Sequence, residues 1–490
     1  MIPSARGLHN SDERNHTSFL EAYLRCMDAS AGTLFQLSLE ACERRFRQAQ
    51  HPLEIERPVT VGDGIEVWSE SHIDALVHAW SSREELRRSC AFWIPASGAA
   101  TRMFGQLMSD AIKQTQLWSM ASQFALGKLW KKEVDSRFGP DEEVAVKEAI
   151  DVLMTMVDKG SLPKGLLPFH SLDSESSIET AFEAHLRLWQ VLDIDEGKVC
   201  FTVSPSYRDA IAEQLSHSPL AAGVELEFQI QNSETDTPVR MRDGQWLRDS
   251  TGEVVRRPGG HGALLPLLEE VQADFVVIRN IDNAPSPKKF ELRLKWTQAM
   301  LAEMHAWVRE RKEVLASMRN AGVVTDEAIA WLQNAGMDES VLSKSSTIAE
   351  VEAMMERPMR MVGMVKNQGQ VGGGPYWLRI GEGLDKGQVR PQIVESVELT
   401  GANEIWKDKG THFNPVDMIC AISPGQSLSP FVDQSRFLKS TKSIQGEMME
   451  VLEHPGLWNG GMSGWLTRFV EMPSECFQPV KNVFDFIGRE

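Results

Sequence analysis

Residues 90–105 constrain the fold of this chain most strongly, because they pass from a strand through a loop into a helix. The apolar run at 91–94 predicts a buried strand, the small residues at 96–100 predict a loop, and a helical pattern begins at Arg102. This arrangement presents unpaired backbone N–H groups, and the positive end of the helix dipole, to a phosphate. Thr101 adds a hydroxyl, and Arg102 adds a planar cation that suits phosphate oxygens. An equally simple interpretation is that the loop residues are small because the strand and the helix pack closely.

Charge and cysteine usage exclude several classes of protein. The 490 residues have a formal net charge of −18 at pH 7, which opposes nonspecific binding to nucleic acid but leaves room for a local cationic pocket. No apolar run approaches the ~20 residues that span a bilayer, and the N-terminus lacks a secretory signal, so we expect a cytoplasmic protein without membrane contact. The six cysteines lie far apart with no Cys-x-x-Cys pair, which favours reduced thiols over disulfides or a zinc site.

Beyond residue 164, predicted strands alternate with predicted helices. The predicted helices are 177–192, 205–215 and 260–271, and the predicted strands are 198–203, 224–230 and 275–281. Such alternation is typical of a doubly wound, mainly parallel sheet whose ligands bind at the carboxyl ends of the strands. The loop at 96–100 and Asp282 both follow predicted strands, so we expect them to face one crevice.

The chain divides into three predicted parts. These are an N-terminal helical extension (1–88), an α/β domain (89–360) with a helical insertion at about 106–158, and a C-terminal α+β part (361–490). In the first part, the pattern predicts helices within 12–50 and 71–88 and a connector at 51–70. In the last part, it predicts strands at 392–399 and 412–420, and terminal helices over 427–490.

Four motifs resemble those of sugar-nucleotide pyrophosphorylases of the UTP–sugar-1-phosphate uridylyltransferase type, and they occur in the same order. Residues 97–103 resemble the Gly-x-Gly-Thr-Arg-Met loop of these enzymes, and residues 162–168 resemble their Pro-Lys-Gly motif. Residues 257–264 resemble their Pro-Gly-His-Gly segment, and residues 280–283 resemble the Asn-x-Asp-Asn that ends a strand. Over nearly its whole length the chain is similar to a bacterial family known as domain of unknown function 4301, itself similar to these pyrophosphorylases.

The resemblance implies an α/β fold of the nucleotidyltransferase-like kind (Rossmann-like, GT-A type). This fold has a mixed, mainly parallel sheet, helical additions and a small C-terminal β-containing part. The implied activity is Mg²⁺-dependent transfer of a nucleotidyl group from a nucleoside triphosphate to a sugar 1-phosphate or a similar phosphorylated acceptor, with release of pyrophosphate. The base, the sugar and the oligomeric state do not follow from the sequence.

The resemblance also implies roles for residues around the phosphates. The residues that would cradle the triphosphate are Ser97, Gly98, Ala99, Ala100 and Thr101. Arg102 would stabilise the charge that develops during transfer, and Lys164 would be a second cation on the phosphates. Asp282 would hold Mg²⁺ or the nucleotide ribose, with Asp417 as a weaker candidate for a second carboxylate.

Two further segments would complete the site on the nucleotide and sugar side. Gly259, Gly260, His261 and Gly262 would let the backbone approach the nucleotide or the sugar closely. Lys409 precedes the Phe413–Asp417 stretch as a lysine precedes the Phe-Asn-x-Asn segment of those enzymes, and it would contact the sugar phosphate.

The chain departs from the pyrophosphorylase pattern, so other interpretations stay open. Ala100 and Ser97 stand where those enzymes have glycines, and a methyl at position 100 would push the triphosphate away or change the set of donors. Lys164 is equally interpretable as a solvated loop lysine, and residues 280–283 as an Asx turn. A non-catalytic nucleotide- or sugar-phosphate-binding protein of the same fold is one alternative function. A GT-A type glycosyltransferase is another, although the Asp-x-Asp at 193–195 precedes a predicted strand instead of following one.

Overall fold

The protein is an α/β structure organised around one large mixed sheet. The computed structural model describes residues 35–49, 52–140, 142–172, 178–338, 341–342, 347–369, 373–414, 417–444 and 447–489. Its strands are β1 (Ile55–Pro58), β2 (Thr60–Val61), β3 (Gly64–Glu66), β4 (Cys90–Pro95), β5 (Pro168–Ser171), β6 (Ile178–Thr180), β7 (Gly197–Thr202), β8 (Glu225–Gln229), β9 (Thr237–Arg240), β10 (Arg256–Arg257), β11 (Phe275–Arg279), β12 (Met359–Lys366), β13 (Gly374–Arg379), β14 (Val389–Val394), β15 (His412–Phe413), β16 (Asp417–Ala421), β17 (Leu438–Ile444), β18 (Glu447–Glu453) and β19 (Leu466–Glu471).

Helices cover the sheet and join its strands. They are α1 (Leu39–Gln48), α2 (Glu70–Ser82), α3 (Thr101–Met108), α4 (Ala111–Ser119), α5 (Ala125–Phe138), α6 (Val146–Met156), α7 (Ala181–Leu192), α8 (Arg208–Ser216), α9 (Leu265–Glu269), α10 (Phe290–Ala321), α11 (Asp326–Asn334) and α12 (Ile348–Met355). The long helix α10 ends at Gly322, whose φ of +66° is a left-handed conformation that glycine adopts readily. In the described part of the chain, no helix has both the length and the apolar character that crossing a bilayer requires.

The strand order of the main sheet is β2-β3-β19-β12-β16-β11-β4-β7-β8. Strand β16 runs antiparallel to both of its neighbours, β12 and β11, and the other neighbouring pairs on this path are parallel. The prediction of a mixed, mainly parallel sheet is therefore confirmed. Because β12 and β11 run in the same direction, the carboxyl ends of all strands except β16 lie at one edge of the sheet. We call this the carboxyl edge.

The side chains of strand β4 are buried on both faces of the sheet. Its alternate residues Phe92 and Ile94 belong to the core on the face covered by α2, α3 and α10. Ala91 and Trp93 belong to the core on the opposite face, where α9 and the segment before β19 pack. Complete burial of a large apolar side chain contributes about 1.5–3 kcal/mol, so the apolar run that predicts β4 also stabilises its central position.

Two predicted segments differ from the observed structure. The predicted connector at 51–70 instead contains β1, β2 and β3, and β3 joins the main sheet beside β19. The terminal helices predicted over 427–490 are also wrong, since β17, β18 and β19 lie there. In the second segment, β19 pairs with β12 and β3, which are distant in the sequence, and this tertiary pairing overrides local propensity. Residues 12–34 of the predicted N-terminal helices lie outside the described residues, and the division at residues 88 and 360 stays a prediction.

Candidate functional site

Lys164 brings together three of the predicted motifs at the carboxyl edge. Its backbone N–H donates to the carbonyl of Gly98 at 3.2 Å, and its Nζ lies 3.0 Å from Oδ2 of Asp282. Gly98 belongs to the loop that follows β4, and Asp282 belongs to the loop that follows the parallel neighbour β11. The two loops are therefore adjacent, and one lysine connects them.

The loop between β4 and α3 contains backbone donors that have no partner among the described residues. Ser97, Gly98 and Ala99 are exposed, and no hydrogen bond among the described residues uses their N–H groups. A Cβ placed on Gly98 would meet no heavy atom within 4 Å, so the space beside it is open. Exposed N–H groups in front of a helix N-terminus are suited to binding an anion.

Ala100 takes no part in that open surface, contrary to the expectation that its methyl would push a triphosphate away. Its side chain is fully buried in the core, and its N–H donates to the carbonyl of Leu162 at 3.1 Å. The pairing holds the loop against the Pro-Lys-Gly segment. Of the five predicted cradle residues, Ala100 therefore has its backbone donor occupied within the protein.

This geometry predicts that restoring a glycine at this position brings no gain. We expect Ala100→Gly to leave the affinity for inorganic pyrophosphate within about twofold of wild type, because the methyl does not face the ligand. The loss of one buried methyl and the added backbone freedom should lower the free energy of unfolding by about 1 kcal/mol. Calorimetric titration and thermal unfolding measure the two quantities. An affinity increase of tenfold or more would show that the methyl does obstruct the ligand.

Asp282 carries two cationic partners on a single carboxylate oxygen. Nζ of Lys164 and Nζ of Lys481 each lie 3.0 Å from Oδ2. Burial alone would raise the pKa of Asp282, but the ammonium groups of Lys481 and Lys164 outweigh burial and lower it. Asp282 is therefore ionised at neutral pH, and its other oxygen, Oδ1, is buried without a hydrogen-bond partner among the described residues.

Sequence reasoning missed Lys481. It lies 199 positions from Asp282 in the sequence, in no recognisable motif. A lone lysine before a turn has no local pattern that could mark it as part of a site, so only the tertiary structure identifies it.

Asp417 is engaged by two arginines. It begins the antiparallel strand β16, and its register partner on β11 is Arg279, so it also lies at the carboxyl edge. Nη2 of Arg293 lies 2.8 Å from Oδ2 and 3.1 Å from Oδ1, and Nε of Arg279 lies 3.7 Å from Oδ1. Both oxygens of Asp417 therefore face guanidinium groups, which is the geometry of a buried structural ion pair.

The donor set at the carboxyl edge fits a Mg²⁺ ion with only one protein ligand. No group of three or more His, Cys, Asp or Glu side chains in the described ranges could hold a metal. Oδ1 of Asp282 is a hard oxygen without a partner, whereas both oxygens of Asp417 face arginines. Since Mg²⁺ commonly takes one or two carboxylates and completes its octahedron with phosphate and water, Asp282 fits this role and Asp417 does not.

The segment 259–262 packs against the protein's own backbone. Gly260 has a φ of +79°, and a Cβ on Gly262 would overlap the carbonyl oxygen of Pro455. Nδ1 of His261 accepts a hydrogen bond from the N–H of Leu457 at 3.1 Å, so Nε2 carries the proton and donates to Glu395 at 2.9 Å. The glycines thus permit a close approach between two parts of the chain. The nucleotide or sugar contact expected for Gly259, Gly260, His261 and Gly262 stays a prediction.

Arg102 and Lys409 are the two remaining predicted cations. The side chain of Arg102 lies outside the described part of the chain. Lys409 is exposed, with Nζ 4.5 Å from the ring centre of Trp406, and among the described residues no ion pair links it to Asp282. It precedes β15, which pairs with the carboxyl end of β12, so it lies at the carboxyl edge but two strands away from β11.

The Asp-x-Asp sequence lies at the opposite edge. Asp193 and Asp195 precede β7 and face Arg87, at 3.2 Å and 3.9 Å from its guanidinium nitrogens. The amino end of β7 is remote from the loop that follows β4, because the two strands are parallel. These carboxylates therefore cannot share a ligand with Lys164 and Asp282.

The chain belongs to the family described as Domain of unknown function (DUF4301), whose profile matches residues 36–490. No curated protein matches the sequence. Among solved structures, uridine diphosphate N-acetylglucosamine pyrophosphorylase from Trypanosoma brucei, in complex with an inhibitor, is 14% identical, with 95% of this chain and 75% of that chain covered and a TM-score of 0.49. A mutant of UDP-glucose pyrophosphorylase from Leishmania major, in complex with UDP-glucose, is 11% identical, with 96% and 78% covered and a TM-score of 0.45. Identities this low transfer neither substrate nor activity to this chain.

Proposed function

We propose that the carboxyl edge binds the phosphates of a nucleoside triphosphate. The protein would transfer the nucleotidyl group to a sugar 1-phosphate, or a similar phosphorylated acceptor, and release pyrophosphate. The fold would then be nucleotidyltransferase-like, of the GT-A type. The observation that carries this proposal is the position of Lys164, whose backbone binds the loop after β4 while its ammonium group reaches Asp282 after β11.

The charge distribution supports an anionic ligand at this edge. Asp282 faces Lys164 and Lys481, and Asp417 faces Arg279 and Arg293, so these four cations surround two carboxylates. This local excess of positive charge occurs in a protein whose formal net charge is −18. Lys164, Arg279 and Arg293 are largely or fully buried, and such cations interact with an anion more strongly than solvated ones do, because the local dielectric constant is lower. A polyphosphate would neutralise the excess.

In the proposed reaction, a phosphate oxygen of the acceptor bonds to the α-phosphorus as the bond to the leaving pyrophosphate breaks. The protein must align these groups and neutralise the charge that develops on them. The N–H groups of Ser97, Gly98 and Ala99 would bind and orient phosphate oxygens, and Lys164 would hold a positive charge beside them. Bound Mg²⁺ would supply further charge neutralisation, with Asp282 as its protein ligand.

The test is pyrophosphate release by the purified full-length chain in the presence of Mg²⁺. Each common nucleoside triphosphate is paired with several sugar 1-phosphates, and each reactant is also tested alone. Release that requires one triphosphate and one sugar phosphate together is the expected result. Binding of a triphosphate without release under any pairing would instead support the non-catalytic alternative. The cytoplasmic location stays a prediction.

A further inference from the structure

The C-terminal segment, residues 476–489, lies across the loop that follows β11. The N–H of Val480 donates to the carbonyl of Asp282 at 2.9 Å, and the N–H of Gln478 donates to Oδ1 of Asn283 at 2.9 Å. Nη2 of Arg489 donates to the carbonyl of Ala284, also at 2.9 Å. These bonds fix the backbone of the segment directly beside the proposed phosphate site.

The segment fixes the backbone of Lys481, whereas the ion pair of its side chain with Asp282 is weak. Its N–H donates to the Asp485 carboxylate at 2.8 Å, which ties its backbone to a capped turn. Its side chain is 57% exposed, whereas the side chain of Lys164 is only 17% exposed and that of Asp282 only 9%. An ion pair with such an exposed lysine stabilises a protein little, because water screens it and a long side chain must be ordered.

One carboxylate charge cannot neutralise two ammonium groups. Lys481 and Lys164 share the same oxygen of Asp282, so the three groups together carry one positive charge. Lys481 is the more exposed of the two, and it therefore exchanges partners with less loss of burial. Its exposure makes Lys481 the more accessible of the two ammonium groups to an anion in the solvent.

We propose that Lys481 is a phosphate-binding residue that exchanges Asp282 for the pyrophosphate moiety of the ligand. This inference rests on the proposed function for the identity of the anion site. In the ligand-free protein, Lys481 pairs with Asp282. In the complex, its ammonium group binds the terminal phosphates, whether they belong to a nucleoside triphosphate or to released pyrophosphate. Lys164 keeps its contact with Oδ2 of Asp282, and Oδ1 is the oxygen of this carboxylate that has no protein partner among the described residues.

The test is calorimetric titration of the full-length chain with inorganic pyrophosphate and, separately, with a nucleoside triphosphate, without added metal and at low salt. We expect Lys481→Ala to weaken pyrophosphate binding about tenfold and Lys481→Arg to retain most of the affinity. Lys295→Ala is the matched control, because Lys295 is also a partly exposed lysine, paired with Glu70 and Asp74 outside the site. Its affinity should equal that of wild type. Thermal unfolding establishes that every variant is folded.

The variant Asp282→Asn should change the affinity for pyrophosphate in the opposite direction from Lys481→Ala. If Lys481 exchanges partners, removing the competing carboxylate should tighten metal-free pyrophosphate binding several-fold. This gain should disappear in the double variant with Lys481→Ala. A lysine that merely supports the structure of the C-terminal segment would produce neither effect.

The outcomes separate this inference from the proposed function. Equal affinity of wild type and Lys481→Ala would overturn the role of Lys481 while leaving a site built on Lys164. Absence of any binding of pyrophosphate and triphosphate to the wild type would overturn both proposals. Binding that depends on Lys481, in a protein that releases no pyrophosphate with any substrate pair, would uphold the inference and overturn the proposed reaction.

Discussion

The variant Lys164→Ala should lower kcat for pyrophosphate release by about 100- to 1,000-fold. Removal of one preorganised donor that stabilises developing charge costs this much in enzymes that depend on such a donor. Lys164 is preorganised in this sense, because its backbone is bound to Gly98 and its side chain is largely buried against Asp282. Asp282 would keep Lys481 as a partner, so we expect the fold to persist.

Steady-state kinetics with the substrate pair found in the panel measure this effect. Lys147→Ala is a suitable control, because Lys147 is an exposed lysine on α6 with no assigned part in the site. It should retain wild-type kcat and KM. A Lys164→Ala variant with wild-type thermal stability and near-wild-type kcat would remove Lys164 from the mechanism. A large rise in KM at unchanged kcat would restrict Lys164 to substrate binding.

The sequence could predict those parts of the site that follow apolar strands. The runs that form β4 and β11 are almost entirely apolar, which is typical of parallel strands buried on both faces. Since parallel strands end at the same edge, the sequence predicts that the loop after β4 and Asp282 after β11 lie close together. The structure places them together through Lys164, as that argument requires.

The remaining parts depend on contacts between distant segments. Strands β18 and β19 lack a strong local strand pattern, and β18 pairs with β9 while β19 pairs with β12 and β3, all of them distant in the sequence. The glycines at 259–262 indicate that another group approaches this backbone closely. The sequence cannot show that, at Gly262, this group is the carbonyl of Pro455. The partners of Asp417 are Arg279 on strand β11 and Arg293 on helix α10. Both are far from Asp417 in the sequence, so residue spacing alone could not show whether Asp417 belongs to an ion pair or to a metal site.

Asp417 can be interpreted as part of a buried ion pair or as a metal ligand, and the two interpretations predict opposite experimental results. If it pairs with Arg279 and Arg293, then Asp417→Ala leaves two guanidinium groups together in the core without a carboxylate. Burial and the neighbouring Arg293 lower the pKa of Arg279 to about 9, and Asp417 acts in the opposite direction, so its removal takes away the carboxylate that favours the charged guanidinium. Breaking a buried pair in this way costs about 3–5 kcal/mol.

We therefore expect Asp417→Ala to lower the free energy of unfolding by about 3–5 kcal/mol, with or without Mg²⁺. Urea unfolding followed by the fluorescence of the 14 tryptophans measures the change. Asp408→Ala is the matched control, because Asp408 is an exposed carboxylate from the same region of the chain and should change stability by less than about 0.5 kcal/mol. A metal ligand would behave differently, since its removal would leave the stability without Mg²⁺ unchanged and abolish stabilisation by Mg²⁺. That result would support Asp417 as a metal ligand and would suggest that Arg293 binds phosphate.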